Sequence, residues 1–143
     1  MTIARLIEGR SAAAVVTCDA GVSVREAVAL LAERRIGAMP VLDRGRIVGI
    51  FSERDVIYKL HAQGPGVLDN RLRDVMTSPA VTVEPGASVL AALSLMTRRR
   101  IRHLPVVEGG AMVGIVSIGD LVKYRIEHIE SEAEALRIYI QTA

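Results

Sequence analysis

Two short stretches carry residues that could do chemistry. GIVSIGD, Gly114 to Asp120, sets a hydroxyl and a carboxylate three residues apart behind an apolar run, and GIFSERD, Gly49 to Asp55, writes the same arrangement again. Ser52 and Ser117 stand where a strand pattern gives way to a helix pattern. Each suits an N-cap, and Asp55 or Asp120 three residues on can return a bond to the cap backbone. That is the structural reading. The same geometry also suits a ligand. Free N–H groups at a helix start attract anions, whereas a carboxylate accepts from neutral hydroxyls. A molecule with both a diol and a phosphate satisfies both, which describes a nucleotide: Asp on the ribose, Ser and nearby cations on the phosphate. Arg54 lies inside the first motif, and Arg102 with His103 opens the strand before the second. Ile36, Gly37 and Ala38 offer an apolar, small stretch against which adenine could lie closely. Sequence alone leaves the cap and the ligand readings side by side.

The elements that must position these residues are also written twice. Sliding the 143-residue chain along itself by 65 positions sets Thr17 over Thr82, and the halves stay in register without a gap. Roughly two aligned positions in five are identical, which marks two copies of one supersecondary unit. Each copy reads as a short strand (AVVT or AVTV), a helix, two hairpin strands and a second helix. Ser23 and Ser88 precede the first helices, whose apolar faces run Val24, Ala27, Val28, Leu31 and Val89, Ala92, Leu93, Met96. Gly45, and Gly109 with Gly110, mark the hairpin turns. The expected fold is therefore mixed α/β (α+β): two β-α-β-β-α repeats packed about a pseudo-two-fold axis, with an extended C-terminal helix. A unit of this size buries too little surface to stand alone, so the copies should pack on each other. The expected organisation is a first repeat with its lead-in over 1–63, a linker over 64–75, a second repeat over 76–126 and a helical extension over 127–143.

Composition narrows the classes. Half the residues are apolar, but aromatics make up only 3%, with no Trp, one Phe and three Tyr. That argues against base-stacking surfaces for nucleic acid. The net charge is +2, so the chain is not globally basic; the run Arg98 to Arg100 fits a helix C-terminus, where cations suit the dipole. Cys18 is the lone cysteine and reads as a small packing residue rather than a nucleophile. His61 and His128 lie on expected helices, and neither stands at metal-ligand spacing from His103. There is no P-loop and no G-x-S-x-G elbow. No apolar run approaches the length of a membrane span. The expectation is a soluble cytoplasmic protein that is not an enzyme, binds no metal and touches neither nucleic acid nor membrane. A nucleotide-processing enzyme and a nucleic-acid-binding module remain as rival readings.

The paired units, the strands RIGAMPV and RIRHLPVV, and G-h-h-S-x-x-D at both strand ends resemble cystathionine-β-synthase (CBS) domains. The likeness runs from about Val15 to Ile126 and is closest to a free-standing tandem pair, a Bateman module. The resemblance implies a regulatory module binding AMP, ADP, ATP or NAD in clefts between the repeats, with AMP foremost, and sensing energy or redox state. It implies ligand roles for Ser52 and Asp55 in one site and Ser117 and Asp120 in the other. Val16 or Val81 would face the adenine. Gly37-Ala38 and Arg102-His103, preceded by Ile36 and Ile101, would meet the adenine edge or the phosphate. Because Arg102-His103 has Gly37-Ala38 as its counterpart and Arg54 has Gly119, the two clefts should differ. The expectation is tight AMP binding in a cleft formed by Asp120, Arg102 and His103. The Asp55 cleft, with Arg54, would take the same ligand more weakly or the second half of a dinucleotide.

The C-terminal segment carries Val122, Ile126, Ile129, Ala133, Leu136 and Ile140 at alternating steps of four and three. Two outcomes are open: the helix folds back over its own module, or it joins two subunits, as CBS pairs generally dimerise through helices. The protein regulated by such a module is not named by these residues.

Overall fold

The structure is a computed structural model, and it describes residues 2–142. A short helix α1 (Ile3–Ile7) leads into repeat 1: β1 (Cys18–Asp19), α2 (Val24–Arg34), β2 (Ala38–Asp43), β3 (Arg46–Ser52) and α3 (Glu53–Gln63). Repeat 2 comprises α4 (Val89–Arg99), β4 (His103–Glu108), β5 (Ala111–Ser117) and α5 (Ile118–Thr142). In repeat 1 the sheet order is β1-β2-β3, with β1 parallel and β3 antiparallel to β2; in repeat 2, β4 and β5 form an antiparallel pair. Ser23 accepts from the Glu26 N–H at 3.1 Å and Ser88 from the Ala91 N–H at 3.0 Å, so both first helices start where the serines cap them. Equivalent strands β3 and β5 touch each other, the contact expected of two copies related by a two-fold.

The first strand of each repeat is shorter than the apolar runs suggest. AVVT lies outside β1, and in AVTV only Val83 bridges to Val106. Prolines explain the difference. The parallel register Cys18–Val41 puts Thr17 beside Pro40, and Val83–Val106 puts Thr82 beside Pro105. A proline has no N–H to donate, so the ladder cannot extend across it. The segment before the second pairing, Pro79 to Val81, lines a cleft between the repeats.

Each repeat has its own apolar core, and each core is closed by the segment that precedes the other repeat. Ile3 is fully buried with Val89, Met96, Leu104, Val116 and Leu121 of repeat 2, and Leu6 and Ile7 pack against that cluster. The Ile3 and Ala4 N–H groups donate to the carbonyls of Ala87 and Pro85, both at 2.9 Å. Conversely Val67, Leu72 and Val75, which precede repeat 2, are buried with Val24, Leu31, Met39 and Phe51 of repeat 1. The two lead-ins are thus exchanged. Cys18 is half-buried against the first core, and burial raises its thiol pKa, as befits a packing residue.

Beyond its first turns α5 does not fold back on the module. Leu121 is buried, whereas Val122, Ile126, Ile129, Leu136 and Ile140 are 43% to 66% exposed along one face.

The crossing of the linker over repeat 1 is tight at Gly49, where a Cβ would meet the Thr77 carbonyl and the Met76 sulfur at 2.7 Å. Gly49→Ala is expected to cost about 1–3 kcal/mol of stability. Gly66→Ala, which meets open space, is expected to be close to neutral. Urea denaturation of both variants checks this, and equal stabilities would contradict the close approach.

Candidate functional site

The strand and helix ends of the two repeats converge on one cleft that opens to solvent. Repeat 1 contributes Gly37 and Ala38 from the start of β2, and Ser52, Arg54 and Asp55 from the turn between β3 and α3. The other wall carries Val81, Ile101, Arg102 and His103. Nine of the residues singled out by sequence therefore meet in a single space.

The grouping differs from the expected one. Arg102 and His103 line a cleft with Asp55, while His103 also pairs with Ser117 across the hairpin and feels the Asp120 charge. The reason is the chain crossing: repeat 2 presents the start of β4 and the segment before its first strand to the helix start of repeat 1. Ser117 and Asp120 lie at the start of α5, outside this cleft. Val16 and Ile36 pack against the first core, and Ile36 also borders a shallow groove between α2 and α3.

Both Ser–Asp pairs form the reciprocal cap. In repeat 1 the Ser52 N–H donates to Asp55 Oδ2 at 2.9 Å and the Asp55 N–H to Ser52 Oγ at 3.4 Å. In repeat 2 the corresponding distances are 3.0 and 3.1 Å. Capping does not exhaust either carboxylate, which offers about four acceptor positions. What occupies the remainder distinguishes the two. Thr77 Oγ1 donates to Asp55 Oδ1 at 3.0 Å, a neutral and rotatable donor. Asp120 instead receives the Arg10 guanidinium in two bonds, Nη1 to Oδ2 at 3.3 Å and Nη2 to Oδ1 at 3.4 Å. Burial would raise the Asp120 pKa, but the Ser117 N–H and Arg10 together outweigh it and hold the carboxyl below its ordinary range.

The cations of the cleft also tie the repeats together. Arg54 Nη1 donates to the Arg100 carbonyl at 2.9 Å, and Arg102 Nη2 lies 3.6 Å from Glu53 Oε1. Arg100 holds a left-handed conformation (φ 55°) that ends α4 and turns its carbonyl toward Arg54. Burial, reinforced by neighbouring Arg102, pushes the His103 imidazole below its ordinary pKa against the pull of Asp120 and Glu53, so it is neutral at pH 7. Among the described residues no group of three or more His, Cys, Asp or Glu could hold a metal ion. His128 pairs with Glu132 on α5 at 2.9 Å. No helix among these residues is long and apolar enough to cross a membrane.

Sequence reasoning missed Arg10, Glu53, Thr77 and Arg100. Glu53 was legible as one of three positions where GIFSERD departs from GIVSIGD, with Ile118 opposite it. Arg10 and Thr77 carried no signal, because only the exchanged lead-ins bring them to the carboxylates.

The family model of the CBS domain matches residues 12–62 and 72–127, that is, both repeats. The chain belongs to the CBS-domain family. It is 33% identical over 122 residues to the CBS domain-containing protein YhcV of Bacillus subtilis, covering 85% of this chain and 86% of that one. It is 36% identical over 129 residues to the mitochondrial CBS domain-containing protein CBSX3 of Arabidopsis thaliana, covering 87% of this chain but only 63% of that protein's length. The crystal structure of the CBS-domain containing protein ATU1752 from Agrobacterium tumefaciens superposes with a TM-score of 0.80 at 36% identity, over 87% of this chain and 92% of that one. Two more distant CBS pairs share the fold at a TM-score of 0.74. These are CBSX2 in complex with AMP, at 23% identity over 88% of this chain and 96% of its own, and the pair of protein MJ0100 in complex with 5-methylthioadenosine and S-adenosyl-L-methionine, at 24% over 90% and 98%.

Asp120 has a lowered folded pKa, so its ion-pair stabilisation is present above the ordinary carboxylate range and is lost as pH falls through the folded value. Asp120→Asn is therefore expected to be less stable than the parent at pH 7, the difference closing as pH falls through the lowered folded pKa of Asp120. Arg10→Ala is expected to raise the Asp120 midpoint in a side-chain carboxyl NMR titration. An unmoved midpoint would remove Arg10 from this account.

Proposed function

We propose that this chain is a regulatory, non-enzymatic CBS pair that binds an adenine nucleotide, AMP foremost with ADP, ATP or NAD as further ligands, in the Asp55 cleft. The observation that carries the reading is the meeting of Asp55, Arg54 and Arg102 around one apolar-walled cleft between the repeats. Asp55 accepts the ribose diol. Arg54, Arg102 and the N-terminus of α3 neutralise the phosphate, and Val81, Ile101, Gly37 and Ala38 flank the base. The AMP complex of CBSX2 and the methylthioadenosine complex of MJ0100 support an adenosine ligand in this fold. The ligand takes Arg54 from the Arg100 carbonyl and Arg102 from Glu53, and so alters contacts that hold the repeats together. The resulting change of angle is bounded by the ligand's differential affinity for the two arrangements. A partner protein or the partner subunit reads that change as energy or redox state.

The exposed face of α5 supports the second half of the reading, a homodimer built through helices that include α5. Val122, Ile126, Ile129, Ala133, Leu136 and Ile140, at alternating four- and three-residue spacing, are the pattern one helix presents to another. Ile129→Asp is expected to shift sedimentation at tens of micromolar from dimer to monomer; a monomeric parent would overturn the dimer.

Isothermal titration with AMP tests the cleft. Asp55→Ala is expected to weaken binding by at least about tenfold, the loss of a charge-assisted hydrogen-bond pair. Asp120→Ala, whose carboxylate Arg10 already occupies, is expected to change it by less than about threefold. Equal losses, or a loss confined to Asp120→Ala, would contradict the assignment.

A further inference from the structure

The cleft contains one charged residue whose presence neither the fold nor the diol contact requires. Glu53 is the first residue of α3 and lies on the cleft rim between Gly37 and Arg102. Its N–H donates to the Gly37 carbonyl at 3.0 Å, which anchors its backbone, and its Oε1 would stand 3.4 Å from a Cβ at Gly37. The carboxylate lies in ordinary contact range of Gly37 and beside Arg102. An acidic residue in a first helical turn is favoured by the dipole alone. Repeat 2, however, starts the equivalent helix with Ile118, so the turn does not need the charge.

The charges around the space set what it can hold. Arg54 and Arg102 face Glu53 and Asp55, two guanidiniums against two carboxylates, and burial keeps His103 chiefly neutral at pH 7. A phosphate monoester carries about −1.5 to −2 at neutral pH. The Arg54 and Arg102 guanidiniums match that charge, with Glu53 holding one of them. Each further phosphoryl group adds negative charge toward the rim, where the Glu53 carboxylate repels it.

Resting on the cleft reading above, we infer that Glu53 determines specificity by phosphate number, so that the cleft takes a nucleoside monophosphate in preference to its di- and triphosphate. Removing the charge releases Arg102 and lifts the repulsion. The monophosphate gains only the first effect, and the longer chains gain both.

The test is titration of the whole chain with AMP and with ATP, without divalent cations, in the parent, Glu53→Gln and Glu53→Ile, the last borrowing the residue of repeat 2. The parent is expected to prefer AMP, and both substitutions to narrow the AMP-to-ATP ratio by about fivefold, chiefly by tightening ATP. Raising the salt concentration should narrow the parent's ratio in the same direction. Thermal unfolding of the variants shows whether they remain folded, and Gln keeps the shape of the original side chain. Binding of both ligands with a ratio that neither variant moves overturns the role of Glu53 and leaves the cleft reading intact. Failure of the parent to bind either ligand, with Asp55→Ala likewise silent, overturns the cleft reading and this inference with it.

Discussion

The exchange of lead-in segments is the constraint on which the remainder of the molecule depends. A repeat of this size cannot bury enough apolar surface alone, and neither repeat here closes its own core. The chain before repeat 1 supplies Ile3, Leu6 and Ile7 to the second cluster, while the chain before repeat 2 supplies Val67, Leu72 and Val75 to the first. Each repeat is therefore stable only in the company of the other. The connecting segments are held in part by backbone pairing such as Ile50 with Thr77, both bonds at 2.9 Å.

The same exchange builds the site. A segment that crosses to the other repeat must pass the place where that repeat's last strand enters its second helix. Thr77 therefore reaches Asp55, and Arg10 reaches Asp120. One carboxylate meets a hydroxyl and the other a guanidinium. Two motifs that read as duplicates become different devices: a carboxylate on a cation-lined cleft, and a carboxylate locked in an ion pair between the N-terminal segment and the long helix.

Capping and ligand binding are not competing explanations of the Ser–Asp pairs. The reciprocal cap holds the carboxylate at the helix start, in a fixed orientation, with unused lone pairs facing outward. A side chain held that way loses little further freedom when a diol arrives. The capping bonds of 2.9 Å in repeat 1 and 3.0 Å in repeat 2 show the same local preparation in both copies. What differs is the company each keeps.

The repeat, the order of its elements, the capping serines and the apolar helix faces were all legible in the sequence, because they rest on local periodicity and on side chains bonding within three or four residues. The shortened first strands were legible in principle from Pro40 and Pro105, but only once the parallel register was known. The partition of the cleft was not legible. The sequence reading grouped Arg102 and His103 with Asp120, whereas in the structure they line a cleft with Asp55. Sequence by itself determined which residues could cap, bind a diol or neutralise an anion, and that each kind occurs twice. Only the tertiary structure decided which of them share a space, because that follows from long-range burial of Ile3 and Leu72 in the opposite repeats, a contact with no local signature.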